Sequence, residues 1–148
     1  MRLNFARVAI AAFVAWIAYL GISFVVHTVL LRDLYLQHLS LMRPEADQNS
    51  ILPVGFFFAL IGFLAFSYTY AKGYEGGSGA QEGLRFGVLV GILICCFRVI
   101  WDHMIWPVSL QLTTAWMVDY IVEFAIYGSI VGIIYRPAHR TARTGVAI

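Results

Sequence analysis

Apolar positions along the chain fall into four long blocks that are separated by short polar segments. A helix needs about 20 residues, at about 1.5 Å each, to cross the hydrocarbon core of a bilayer, and each block is long enough. Pro107 and Pro137 follow the third and fourth blocks directly, where a proline is typical of a helix end. The pattern predicts transmembrane helices over residues of about 8–31, 51–71, 86–106 and 114–135.

Composition supports a membrane protein of one domain. Of the 148 residues, 61% are hydrophobic and 12% charged, which lies outside the usual balance of soluble domains. The loop after Pro107 is so short that the third and fourth helices must be antiparallel neighbours. We therefore predict an all-α polytopic membrane protein, with four transmembrane helices in an antiparallel bundle that forms a single integral membrane domain over residues 1–148.

The distribution of charge predicts the orientation. With four spans, most basic residues lie on one side of the membrane: Arg2, Arg7, Lys72, Arg85, Arg136, Arg140 and Arg143. The other side carries Arg32 and Arg43, which are outnumbered by acidic residues. The positive-inside rule then predicts a multi-pass protein of the bacterial inner (cytoplasmic) membrane with both termini in the cytoplasm. The basic tail, residues 137–148, has little to bury and is predicted to be disordered.

Six ionisable residues fall inside the predicted spans: His27, Arg98, Asp102, His103, Asp119 and Glu123. Each costs about 2.5–3.5 kcal/mol to insert, so such groups usually face the bundle interior and pair. All six are predicted to lie in the periplasmic half, with Arg98 and Glu123 deepest. We expect these two to form an ion pair between the third and fourth helices, because an unpaired Arg at that depth would be costly.

Two glycine pairs predict close helix packing. Gly87 and Gly91 lie at nearly the same angle as Arg98 on the third helix, and small residues there would allow a partner helix to approach closely. Gly128 and Gly132 form a similar pair on the fourth helix, about 140° from the direction of Glu123. We expect this second pair to meet a neighbour other than the third helix, within the chain or from another subunit.

The favoured interpretation is a non-enzymatic scaffold or accessory subunit with a buried ion-pair network in its periplasmic half. Its partners would be the lipid bilayer and either further copies of itself or a larger membrane assembly. The net charge of +2 is too small to indicate nucleic-acid binding. The motifs G-x-S-x-G and H-E-x-x-H are absent from the sequence, so an enzyme has little support.

Two alternative interpretations involve the same six ionisable residues. One is a small transporter, channel or proton-relay protein, because carboxylates and histidines in a membrane can carry protons. The other is a bundle that binds haem through His27 and His103, or a metal ion through His27, Asp102 and Glu123. The favoured interpretation needs no cofactor.

Several segments resemble small uncharacterised bacterial four-helix inner-membrane proteins. They are Tyr74-Glu75-Gly76-Gly77, Glu82-Gly83-Leu84-Arg85-Phe86-Gly87, Trp106-Pro107-Val108-Ser109, and the ending Glu123, Tyr127-Gly128, Gly132 and Tyr135. The resemblance covers most of the chain after His27 and implies the four-helix topology. That family has no assigned activity, so the resemblance implies no catalytic residues.

Overall fold

The computed structural model describes residues 3–135, which are helical and contain no strand. Four helical segments in this range are long and apolar enough to cross a membrane: Phe5–Leu30, Glu45–Lys72, Gly79–Ile105 and Leu110–Ile134. By length and composition, these four helices are consistent with an integral membrane protein. The predicted disordered tail, residues 137–148, lies outside the described residues.

The helices are longer than the apolar blocks because polar residues extend their first turns. Asn4 caps the first helix by accepting a hydrogen bond from the Arg7 backbone N–H at 3.2 Å, and Ser109 caps the last by accepting from Leu112 N–H at 3.2 Å. The elements are α1 Phe5–Val25 with a π-helical turn Val26–Leu30, α2 Arg32–Leu36, a 3₁₀ turn Leu39–Leu41, α3 Glu45–Lys72, α4 Gly79–Ile94 with a π-helical turn Cys95–Val99, α5 Ile100–Ile105, and α6 Leu110–Ile134.

The buried core lies in one half of the bundle. This half is near the turn between α3 and α4, and we call it the turn half; the other is the α2 half. Hydrophobic residues of α1, α3 and α6 form the core: Val8, Ala11, Ala12, Ala15, Phe63, Phe66, Tyr70, Ala71, Tyr127, Val131 and Tyr135. In the α2 half, by contrast, residues 45–55 of α3 are all exposed. The helices are thus packed in the turn half and more open in the α2 half.

Backbone contact between glycines joins α4 to α6. A Cβ added to Gly83 would collide with the carbonyl oxygen of Gly128, and one added to Gly79 would collide with that of Gly132. Gly87 continues the row and approaches the α6 backbone just as closely, whereas a Cβ added to Gly91 would lie 2.8 Å from the nearest α6 backbone atom. Residue numbers rise along one helix as they fall along the other, so α4 and α6 are antiparallel neighbours, as the short connecting loop predicts. We call this contact the glycine seam.

The glycine seam corrects the predicted helix arrangement. The prediction placed the third span against Glu123 and another neighbour against Gly128 and Gly132, whereas α4 packs on Gly128 and Gly132. The physical reason is that two helices approach most closely where neither carries a Cβ, and only the glycine face of α6 meets this condition for α4. The opposite side of α6, which carries Glu123, packs against α1.

Candidate functional site

A π-helical turn ends the first span, and another interrupts the third. In α1 the Leu31 N–H donates to the Val26 carbonyl at 2.8 Å, and after α4 the Ile100 N–H donates to the Cys95 carbonyl. A π turn holds one residue more than an α turn, so the residues that follow it are rotated by about 100°. Such turns are frequent at functional sites. Both π turns contain predicted site residues.

The π turn after α4 moves Arg98 to the surface of the bundle. On an uninterrupted helix Arg98 would follow Gly91 towards α6, but Val99 takes this position and is buried. The Arg98 side chain is 70% exposed, and its Nε donates to Oδ2 of Asp102 at 2.6 Å. The predicted Arg98–Glu123 ion pair is therefore wrong. Arg98 pairs within its own span.

Glu123 faces α1 and is bound by hydroxyl groups. The Ser23 Oγ lies 3.2 Å from Oε1 and 3.1 Å from Oε2, and the Tyr127 hydroxyl donates to Oε2 at 2.8 Å. The Glu123 residue is only 4% exposed. Its carboxyl group therefore joins α1 to α6 through hydrogen bonds.

His27 and Asp119 make the next contact between α1 and α6. The Nε2 of His27 lies 3.8 Å from Oδ2 of Asp119, whose side chain is 6% exposed, whereas the His27 side chain is 40% exposed. His27 is one turn beyond Ser23, and Asp119 is one turn from Glu123, so the two contacts are stacked. We call the groups of Ser23, His27, Asp119, Glu123 and Tyr127 the polar seam.

Tyr35 of α2 extends the polar seam beyond the membrane-spanning helices. Its hydroxyl lies 2.6 Å from Nδ1 of His27 and accepts a hydrogen bond from the indole N–H of Trp116 at 3.0 Å. Because indole is only a donor, the Tyr35 proton is free to point at His27 Nδ1, which assigns the His27 proton to Nε2, facing Asp119. Burial raises the pKa of Tyr35 to about 12, so its hydroxyl remains a neutral donor at neutral pH.

The remaining predicted residue, His103, belongs to a separate contact. Its Nδ1 lies 2.9 Å from the buried Thr113 hydroxyl, which connects α5 to α6 next to the connecting loop. The six predicted residues therefore divide into the polar seam, the Arg98–Asp102 pair and the His103–Thr113 contact. Within residues 3–135, no group of three or more His, Cys, Asp or Glu side chains could hold a metal ion. His27, Asp102 and Glu123 do not come together as the metal alternative requires.

Sequence reasoning missed the hydroxyl partners of the polar seam. Ser23 lies four residues before His27, and Tyr127 lies four residues after Glu123. This spacing, which places residues on the same helix face, was the available signal.

Two further buried polar residues lie at opposite ends of the bundle. Glu82 accepts from the backbone N–H groups of residues 75 and 77 at 2.6 and 3.0 Å, and His38 Nε2 accepts from the Ser109 N–H at 3.1 Å.

Comparison with known proteins gives no match to this chain among family models, curated proteins or solved structures.

Proposed function

We propose that the protein is a non-enzymatic subunit, a scaffold or accessory component, of a larger assembly in the bacterial inner membrane. Four apolar spans support the membrane location. The excess of arginine and lysine near the two termini and on either side of the turn between α3 and α4, at Lys72 and Arg85, supports an orientation with both ends in the cytoplasm. In this orientation the α2 half is periplasmic.

The observation that carries the proposal is the exposed Arg98–Asp102 pair. Arg98 lies seven residues before the end of α5 at Ile105, which is about 10 Å inside the span. An apolar side chain on the outer surface of a membrane protein is stable in contact with lipid, but inserting a charged side chain into the bilayer costs about 2.5–3.5 kcal/mol. Intramembrane charges usually face protein, so a neighbouring helix over Arg98 would remove this cost.

The unused N–H donors of Arg98 indicate that the neighbouring helix must provide a hydrogen-bond acceptor. The guanidinium group has five N–H donors, and within residues 3–135 its one hydrogen bond joins Nε to Asp102. Its terminal nitrogens thus form no hydrogen bond with the described residues. The partner is a transmembrane helix of another protein that carries a carboxylate or carbonyl oxygen at this depth, since Arg forms its strongest contacts with such groups.

Photo-crosslinking in intact cells tests the proposal. A photoreactive amino acid at Ile105, which is exposed on the same side of the helix as Arg98, should produce a discrete adduct with one membrane protein. The double substitution of Arg98→Gln with Asp102→Asn should reduce this adduct several-fold, because it removes the charges without changing side-chain size greatly. The same amino acid at Phe58, an exposed residue of α3, is the matched control and should give no such adduct.

Two results would contradict the assembly. One is the formation of lipid adducts alone at Ile105, which would show that Arg98 faces lipid and reaches towards the headgroups. The other is a protein adduct whose yield is unchanged by the double substitution, since the partner would then not recognise the pair.

A further inference from the structure

Glu123 is a buried carboxyl group without a cation beside it. Among residues 3–135, its polar contacts are with the hydroxyls of Ser23 and Tyr127 alone, and it forms no ion pair. In this range the one cation paired with a carboxylate is Arg98, with Asp102, because the His27 imidazole beside Asp119 is neutral when Tyr35 donates to its Nδ1. An ionised carboxylate is costly to remove from water unless a cation accompanies it, whereas the neutral acid is much less costly.

The geometry around Glu123 fits a carboxylic acid. Tyr127 donates to Oε2, which leaves Oε1 to carry the acid proton, and the Ser23 oxygen is 3.2 Å from Oε1. A serine hydroxyl can accept a hydrogen bond as well as donate one, so every polar atom of the neutral group has a partner.

A line of titratable groups leads from Glu123 towards the α2 end of the bundle. Asp119 is the next residue of this line, one turn along α6, and His27 Nε2 lies 3.8 Å from it. His27 is partly exposed, and its other ring nitrogen contacts Tyr35 outside the span. In the opposite direction the line ends at Tyr127, which is fully buried against the ring of Phe63.

We propose that Glu123 binds one proton, which exchanges with water at the α2 end of the bundle through Asp119 and His27. This proton site does not depend on any partner at Arg98. The surrounding titratable or charged groups are Tyr19 and His27 of α1, Tyr35 of α2, Asp119, Tyr120 and Tyr127 of α6, and, next to Tyr120, Arg98 and Asp102. From α3 the nearest contribution is the aromatic ring of Phe63.

The exchange is a proton transfer without oxidation or reduction. The Tyr35 hydroxyl gives its proton to Nδ1 of His27 and takes one from a protonated water at the α2 end, while His27 gives its Nε2 proton to a carboxylate oxygen of Asp119. Asp119 then passes a proton to Glu123, so one proton enters and the imidazole ends neutral. The 3.8 Å separation of His27 and Asp119 exceeds a direct hydrogen bond, so a side-chain rotation or an intervening water is needed for transfer.

Infrared spectroscopy of the full chain in lipid nanodiscs tests for the bound proton. With ¹³C-labelled glutamate at neutral pH, we expect one protonated glutamate C=O band, which Glu123→Gln should abolish. The exposed loop residue Glu75 is the matched control, and Glu75→Gln should leave the band unchanged. If the labelled wild-type protein shows no such band at neutral pH, the proposal is overturned, whether or not the Gln variant folds.

The rate at which this band shifts in D₂O tests the route. His27→Ala should slow the shift several-fold, because the imidazole no longer transfers the proton. His103→Ala is the control: this histidine contacts Thr113 outside the polar seam and should leave the rate unchanged. Equal rates in the wild-type protein and the His27 variant would overturn the route through His27.

Discussion

Replacing Gly128 with alanine would test how strongly the glycine seam holds α4 against α6. The new Cβ would collide with the carbonyl oxygen of Gly83 and would lie 2.9 Å from Cα of Gly87. These atoms belong to the α4 backbone, so they cannot rotate away as the end of a flexible side chain could. We expect the two helices to move apart locally and to lose van der Waals contact, which is a main source of helix association in a membrane.

Gly62→Ala provides the matched control for this substitution. Gly62 also lies within a span, but an added Cβ there would meet nothing within 4 Å. Both variants gain about 0.5–1 kcal/mol from the better helix propensity of alanine. The difference between them therefore isolates the steric cost, which for overpacking is about 1–3 kcal/mol.

The assay is reversible unfolding in mixed detergent micelles, followed by circular dichroism. Gly128→Ala should be less stable than Gly62→Ala by about 1–3 kcal/mol. Adding Gly83→Ala to Gly128→Ala should cost less than the sum of the single losses, because the first substitution has already separated the helices at that point. Equal stability of the Gly128 and Gly62 variants would refute the close backbone contact.

Two further predictions concern the buried polar residues at the ends of the bundle. Glu82→Ala should leave the backbone N–H groups of Glu75 and Gly77 without their acceptor. We therefore expect the free energy of unfolding to fall by about 1–3 kcal/mol and proteolysis in this turn to become faster. An unchanged digestion rate would contradict the contact. His38→Ala should free the Ser109 N–H, and hydrogen exchange should then be faster in the loop before α6, whereas unchanged protection there would show that His38 is not its partner.

The four spans could be predicted from the sequence because length and hydropathy determine them locally. Their polar extensions could not, since the residues that begin α3 and α4 look like loop by hydropathy alone. Capping accounts for the early start of α6, where the Ser109 side chain accepts from a free N–H of the first turn, but α3 and α4 begin without a side-chain cap.

The position of Arg98 depended on a feature that hydropathy does not carry. The prediction assumed an uninterrupted helix from Gly87 to Arg98, and one extra residue in the π turn was enough to rotate Arg98 away from α6. Because Arg98 lies on the bundle surface, it does not pair with Glu123 as predicted. Depth alone could not decide which neighbouring helix Asp119 and Glu123 face.

The glycine seam and the polar seam on α6 differ in how far they could rearrange when Glu123 gains or loses its proton. On one side, α6 touches α4 through backbone atoms at Gly128 and Gly132, and that contact leaves no room for adjustment. On the other side, α1 is joined through the side chains of Ser23 and His27, which can rotate. Ionising Glu123 would add a second negative charge one turn from Asp119, and the repulsion between these carboxylates must be relieved by movement. Because α4 contacts α6 through backbone atoms, the side chains on the α1 side are the part of this contact that can rearrange.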